Sequence, residues 1–107
     1  MSQIDDLKAL LSATSMHTLP IADQRLGYDS LADMMPAADN VQREKINVKG
    51  IPCEWYSNGE CADDSVLIYL HGGGYVIGSL ISHQPLYADL CNACGIKVLG
   101  VDYRLAP

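Results

Sequence analysis

Two helical patterns of apolar residues open the chain. From Ser2 to about Ala13 the apolar positions recur at the spacing of one helix face, and Ser2 followed by Asp5 resembles a capping box. A second pattern runs from about Ala22 to Met35 and stops at Pro36. We therefore expect two amphipathic helices before residue 40. Their apolar stripes comprise Ile4, Leu7, Leu10, Leu11, Leu26, Leu31, Met34 and Met35.

After residue 40 the pattern changes to that of β-strands. Residues 41–48 and 51–56 have the composition of half-exposed strands, and Lys49-Gly50 between them predicts an antiparallel hairpin. SVLIYL, residues 65–70, is an uninterrupted apolar run, which is typical of a strand covered on both faces. KVLGV, residues 97–101, predicts a second buried strand.

A third helix is predicted between the two buried strands. Ser82 can cap it, Pro85 fits its first turn and Gly95 ends it. Strand, helix and strand in this order predict a right-handed βαβ unit with parallel strands. The fold class is therefore α/β, an antiparallel hairpin plus a parallel βαβ unit, preceded by two helices. The loop after the first βαβ strand then lies at the carboxyl edge of the sheet, where open α/β folds bind ligands.

Composition and charge narrow the possible partners. The chain has 107 residues, 49% of them hydrophobic and 19% charged, which fits one soluble globular domain. Its net charge of −6 argues against nucleic acid and against an anionic membrane surface. The acidic N-terminus lacks the positive region of a signal peptide, and no apolar run reaches membrane-spanning length. These features predict a cytoplasmic protein without a membrane span.

The four cysteines are predicted to be free structural thiols. Without a secretory signal, the reducing compartment disfavours disulfides. Cys91 and Cys94 have the spacing of a redox or zinc site, but no second pair of this kind and no nearby histidine pair complete it. We therefore expect neither a metal nor a cofactor.

Three consecutive glycines, Gly72, Gly73 and Gly74, follow the first buried strand, and His71 precedes them. Backbone N–H groups stabilise a developing oxyanion only if they converge on an accessible cavity. Glycine permits this because it adopts positive φ and has no Cβ. The histidine can fix the loop through side-chain hydrogen bonds. The segment is predicted to be a rigid cradle for negative charge.

The stretches VLIYLHGGGYVIGS and GIKVLGVDYRLAP resemble two signatures of the hormone-sensitive-lipase-like branch of the α/β-hydrolase fold, a group of carboxylesterases and lipases. The resemblance implies that residues 1–40 are a helical cap segment and that residues 41–107 are the N-terminal portion of the hydrolase domain. It also implies roles for residues of the HGGG motif. Gly73 and Gly74 would supply the oxyanion-hole amides, Gly72 and His71 would support the loop, and Tyr75 would border the substrate cavity.

The nucleophile of that family is absent from the chain. No G-x-S-x-G occurs, and neither Ser79 nor Ser82 has glycines two residues away on both sides. In this fold the triad follows the order Ser, Asp or Glu, His, so its members are expected after Pro107. The resemblance therefore implies the first third of an esterase, and the 107-residue chain alone is predicted to be inactive.

The histidines and the acid near the site are consequently poor triad candidates. His71 and His83 precede the expected position of the serine, and His17 lies in the N-terminal helical region. Asp102 belongs to a segment, with Tyr103 and Arg104, whose role in the family looks structural. We expect electrostatic stabilisation from this chain and no acid–base catalysis.

The predicted function is hydrolysis of short- to medium-chain carboxylic esters by the complete protein, with a small-molecule ester as partner. One alternative is a non-catalytic, receptor-like binder or a degenerate hydrolase. A more remote one is a dinucleotide-binding βαβ unit, although Gly72, Gly74 and Gly78 are spaced one residue too long for that fingerprint. The family's sheet order leaves one edge of the Val66–Leu70 strand unpaired here, so the isolated chain is expected to self-associate.

Overall fold

A computed structural model describes residues 2–13, 18–36 and 38–107, and His17 lies outside these ranges. The described part has the order α1 (Gln3–Ala13), α2 (Ile21–Ser30), a 3₁₀ turn (Leu31–Met34), β1 (Gln42–Val48), β2 (Ile51–Ser57), β3 (Ala62–Tyr69), α3 (Leu80–Cys94) and β4 (Ile96–Val101). The predicted α/β class and the order of its elements are confirmed. No described helix is long and apolar enough to cross a membrane.

The four strands form one mixed sheet in the order β1-β2-β4-β3. β1 and β2 pair as the predicted antiparallel hairpin, and the turn residues Lys49 and Gly50 both have positive φ, at 53° and 90°. A two-residue turn of this kind matches the twist of the flanking strands. β3 pairs with β4 in parallel and α3 connects them, as expected for a βαβ unit. β4 also pairs with β2, so the described sheet ends at β3.

The first helix begins where the capping box predicts. The Ser2 hydroxyl accepts from the Asp5 amide at 3.2 Å and donates to the Asp5 carboxylate at 2.8 Å. However, no residue of α1 is buried within the described structure. Helical periodicity therefore predicted the element correctly, while its apolar stripe is not a core surface in this part of the protein.

The predicted start of α3 was wrong by one turn. Ser79, in an extended conformation, is the N-cap, and its hydroxyl accepts from the amides of Ile81 and Ser82 at 3.0 and 3.3 Å. The Ser82 hydroxyl accepts from the Ser79 amide at 2.9 Å, so Ser82 is the reciprocal member of a capping box. Pro85 consequently lies inside the helix. Gly95 ends it as predicted, donating to the Cys91 carbonyl at 3.0 Å.

The prediction that β3 is covered on both faces was also wrong. Leu67 and Tyr69 pack toward the core, whereas Val66, Ile68 and Leu70, just beyond the strand, are 53–63% exposed. An apolar run is typical of a strand covered on both faces, but α3 covers one side here and the described residues supply no helix for the other.

The core lies between α3 and the sheet. Tyr56, Tyr87, Cys91 and Val98 are fully buried there, and the rings of Tyr56 and Tyr87 are 5.1 Å apart. The Tyr56 hydroxyl donates to the buried Glu54 carboxylate. Burial is the main cause that raises the pKa of both tyrosines above the ordinary value, so they stay neutral. A compact aromatic cluster thus fixes α3 on the sheet.

Gly100 of β4 allows the close approach of this cluster. A Cβ at position 100 would lie 2.7 Å from Tyr87 Cε2 and 3.0 Å from a Leu80 methyl carbon. We expect Gly100→Ala in the complete protein to lower the free energy of unfolding by about 1–3 kcal/mol, because the core must shift. Chemical denaturation measures this change. Gly59→Ala is the control, since its Cβ would meet nothing within 4 Å; equal denaturation midpoints for the two variants would contradict the packing argument.

Candidate functional site

The glycine loop occupies the carboxyl edge of the sheet between β3 and α3. It borders a cavity of about 550 Å³ whose lining residues are Leu70, His71, Gly72, Gly73, Gly74, Tyr75 and Tyr103. The structure thus brings all five predicted site residues of the HGGG-Tyr stretch together. Tyr103 joins them from the segment after β4, because the two parallel strands end at the same edge.

The loop backbone can be built only with glycine at two positions. Gly73 has φ 132°, and a Cβ there would lie 1.9 Å from the Ile77 carbonyl oxygen. Gly78 has φ 100°, and its Cβ would lie 2.4 Å from His71 Nδ1. No sequence motif indicated the requirement for glycine at position 78. Gly72, in contrast, has no neighbour within 4 Å of an added Cβ, so its predicted role in the turn has no steric basis in this structure.

Tyr75 continues the left-handed stretch although it is not a glycine. Its φ is 64°, beside 61° at Gly74, and positive φ is unfavourable for a bulky residue. Its side chain is 77% exposed at the cavity rim. The position is compatible with the predicted substrate contact, which stays a prediction.

Gly73 and Gly74 both line the cavity. The loop's internal bonds use carbonyl groups: Gly73 O accepts from Val76 N at 3.1 Å and from Ile77 N at 3.0 Å. Within residues 38–107 and the other described ranges, neither glycine amide donates to a protein acceptor. Two unpaired donors in a cavity wall can bind an anionic oxygen.

His71 anchors the loop from inside. It is only 2% exposed, and its Nδ1 lies 2.8 Å from the Gly72 carbonyl, to which the Nδ1–H tautomer donates. Tyr103 stacks on the imidazole at a ring distance of 4.4 Å, and its hydroxyl donates to the His71 carbonyl at 2.5 Å. The predicted loop-supporting role of His71 is compatible with these contacts and stays a prediction.

His83 and Asp102 lie behind the loop, in partly buried surroundings. Burial, followed by the nearby His71, lowers the pKa of His83. Burial raises the pKa of Asp102; His71 opposes this shift and Asp29 adds to it. His83 Nδ1 lies 2.9 Å from Ser82 Oγ, but Ser82 is 7% exposed and engaged in the helix cap. This serine–histidine pair is therefore structural.

Helix α2 contributes contacts to the loop that no sequence motif indicated. Arg25 Nε donates to the Val76 carbonyl at 2.9 Å, and Arg25 Nη2 donates to the Ala106 carbonyl at 3.0 Å. Asp29 accepts from the Ser79 hydroxyl at 2.6 Å. Each bond joins residues at least 50 positions apart, so local patterns carried no signal for them.

The cysteines lie away from this cavity. All four are free, and Cys61 Sγ and Cys91 Sγ are 3.5 Å apart in the core. Burial raises the pKa of the Cys91 thiol to about 11, so it is not a reactive thiolate at neutral pH. The described residues contain no cluster of three or more side chains of metal-binding type.

Comparison with known proteins identifies relatives of this arrangement. A family model described as alpha/beta hydrolase fold matches residues 67–107, which include the glycine loop, α3 and β4. The ethyl acetate hydrolase of Pseudomonas putida is 56% identical over 43 residues, 40% of this chain and 14% of that protein. An esterase of Acinetobacter venetianus is 31% identical over 101 residues, 94% of this chain and 33% of that protein.

A solved structure shows the same architecture. The crystal structure of an esterase from the bacterial hormone-sensitive lipase family superposes with a TM-score of 0.82 at 38% identity. The match covers 100% of this chain and 37% of that one. The chain thus spans about a third of the length of the relatives that it matches throughout.

The lowered pKa of His83 predicts a pH dependence of stability. Because the folded protein binds this proton less readily than the unfolded chain does, the free energy of unfolding falls as the pH drops below about 6.5. Thermal melting of the complete protein between about pH 5 and pH 8 measures the effect. We expect His83→Gln to melt with a shallower dependence on pH in this window. An unchanged slope would contradict the assignment of this destabilisation to His83.

Proposed function

The chain belongs to the hormone-sensitive-lipase-like branch of the α/β-hydrolase fold, and from this premise we propose that it forms the oxyanion-hole portion of a carboxylic-ester hydrolase. The observation that carries the proposal is the pair of unpaired amides, Gly73 and Gly74, in the wall of the cavity. Such donors act where negative charge develops during acyl transfer. The relatives named as esterases support the same chemistry.

The proposed reaction is a two-step acyl transfer. A serine outside this chain attacks the ester carbonyl, and its proton passes to a histidine, also outside this chain. The amides of Gly73 and Gly74, with one amide from beyond the serine, stabilise the oxyanion of the tetrahedral intermediate. The histidine gives this proton to the alcohol as it leaves. Water, deprotonated by the same histidine, then attacks the acyl group, which releases the acid and returns a proton to the serine.

The chain contributes electrostatic stabilisation and no nucleophile. Ser79 and Ser82 are both engaged in capping α3, so neither replaces the missing serine. We therefore expect no turnover from the 107-residue chain by itself. In this proposal residues 1–40 form the cap segment, and residues 41–107 form the first part of the hydrolase domain. The cytoplasmic location stays a prediction.

Short- to medium-chain esters are the proposed substrates. The relative from Pseudomonas putida is named for ethyl acetate, a short ester, and this supports the lower end of the range. The dinucleotide-binding alternative lacks such support, because the matched relatives are hydrolases. A receptor-like protein would share the loop but would lack the serine beyond this chain.

Gly73→Ala tests the oxyanion assignment in the complete protein. The added Cβ collides with the Ile77 carbonyl, so the loop must move and its amides lose their direction. We expect kcat for p-nitrophenyl butyrate to fall by about 10²–10³-fold, the usual cost of one oxyanion donor. Gly59→Ala is the control for a glycine substitution. Unchanged turnover by a folded Gly73→Ala protein would refute the assignment, and a wild-type protein that binds but does not hydrolyse the ester would indicate the receptor-like alternative.

The unpaired edge and the exposed apolar face of β3 predict self-association of the isolated chain. The β1 edge carries Arg43, Glu44 and Lys45, which oppose edge pairing, whereas the second half of β3 is apolar. We expect oligomers in sedimentation velocity and a shift toward monomer for Ile68→Lys. Gln42→Lys, which adds the same charge on exposed β1, should leave the oligomers unchanged. A monodisperse wild-type monomer would contradict this proposal.

A further inference from the structure

Arg25 joins three separate segments around the glycine loop. Its Nε donates to Val76 O at 2.9 Å in the loop, and its Nη2 donates to Ala106 O at 3.0 Å in the segment after β4. The Ala106 amide in turn donates to Tyr75 O at 2.8 Å. One planar guanidinium thus fixes the carbonyl directions of two segments that also bond to each other.

These bonds act on the strained part of the loop. Tyr75, with φ 64°, directly follows Gly74, whose amide is a proposed oxyanion donor. A bulky residue keeps positive φ only where the surroundings enforce it. The bond from Ala106 to Tyr75 and the bond from Arg25 to Val76 restrain the two peptide groups that directly follow the strained residue. Without these restraints we expect Tyr75 to relax from positive φ. The shift then reaches the Gly73–Gly74 peptide, which carries the Gly74 N–H, through the one peptide group between them.

Asp29 holds the far end of the same loop. It lies one turn after Arg25 on α2, so the two side chains share a helix face. The Asp29 carboxylate accepts a hydrogen bond from the Ser79 hydroxyl at 2.6 Å. The hydroxyl oxygen in turn accepts hydrogen bonds from the first amides of α3. Helix α2 therefore contacts both the middle and the end of the glycine loop.

We propose that Arg25 and Asp29 are positioning residues, which set the direction of the oxyanion amides from helix α2. This inference rests on the proposed function, since it concerns the same amides. A displacement of about 1 Å in a reacting arrangement costs about 10²-fold in rate. Because the amides act on charge that develops only in the transition state, their displacement lowers kcat and leaves KM nearly unchanged.

Arg25→Ala in the complete protein is the first test. The concentration of active sites is determined by titration to completion with an organophosphate, and kcat is calculated per active site. Titration removes any unfolded fraction from the comparison. We expect kcat for p-nitrophenyl butyrate to fall at least about 10-fold, with KM changed less than about twofold. Arg25→Lys should recover part of the loss, because an ammonium keeps the charge but lacks the fixed fork of donors. Arg43→Ala, the same change on exposed β1, is the matched control.

Asp29 provides a second, independent variant. Asp29→Asn keeps an oxygen acceptor for Ser79, so this variant should retain most of the wild-type kcat. Asp29→Ala lacks the acceptor, so its kcat should fall without a large change in KM. If Arg25→Ala does not fold, the Asp29 pair decides the question.

A trifluoromethyl ketone separates positioning from simple stabilisation. Its adduct with the serine places an oxyanion among the loop amides, so its inhibition constant should rise by about the factor by which kcat/KM falls. If Arg25 and Asp29 are purely structural, the variants will have a lower melting temperature and fewer titratable active sites. Their kcat per active site and their inhibition constant will be unchanged. That result overturns this inference alone. A wild-type protein without any ester turnover overturns the proposed function itself.

Discussion

The site depends on a short stretch of left-handed backbone that runs through Gly73, Gly74 and Tyr75. These residues follow β3 and line the cavity, and within the described residues the amides of Gly73 and Gly74 donate to no protein acceptor. This conformation is intrinsically unfavourable at Tyr75, so the surrounding structure must supply its stability. The bond from the Ala106 amide to the Tyr75 carbonyl is one such contact.

The loop is restrained from three directions by different kinds of interaction. His71 packs beneath it, where the absent Cβ of Gly78 makes room for the imidazole. Tyr103, after β4, stacks on that ring and bonds to the His71 carbonyl. Arg25 reaches it from α2. Since donors that are already oriented need no reorganisation when charge develops, such restraint is what an oxyanion hole requires.

Sequence patterns predicted those features that depend on neighbours in the chain. The hairpin at Lys49-Gly50, the parallel βαβ unit and the end of α3 at Gly95 each have a local signal, and all three are confirmed. Burial of β3 on both faces was wrong, because within the described residues only the side of the strand that carries Leu67 and Tyr69 packs on the core. Arg25 and Asp29 were missed because their bonds depend on how α2 lies against the loop.

The two N-terminal helices show why periodicity was insufficient for the site. Both α1 and α2 have apolar positions at helical spacing, yet neither contains a buried residue in the described structure. What distinguishes α2 is its polar face, where Arg25 and Asp29 bond to the glycine loop. The boundary proposed at residue 40 therefore separates segments by sequence pattern, while side-chain contacts cross it. Because Arg25 and Asp29 of α2 bond to Val76 and Ser79, this helix belongs to the same structural unit as the sheet that carries the loop.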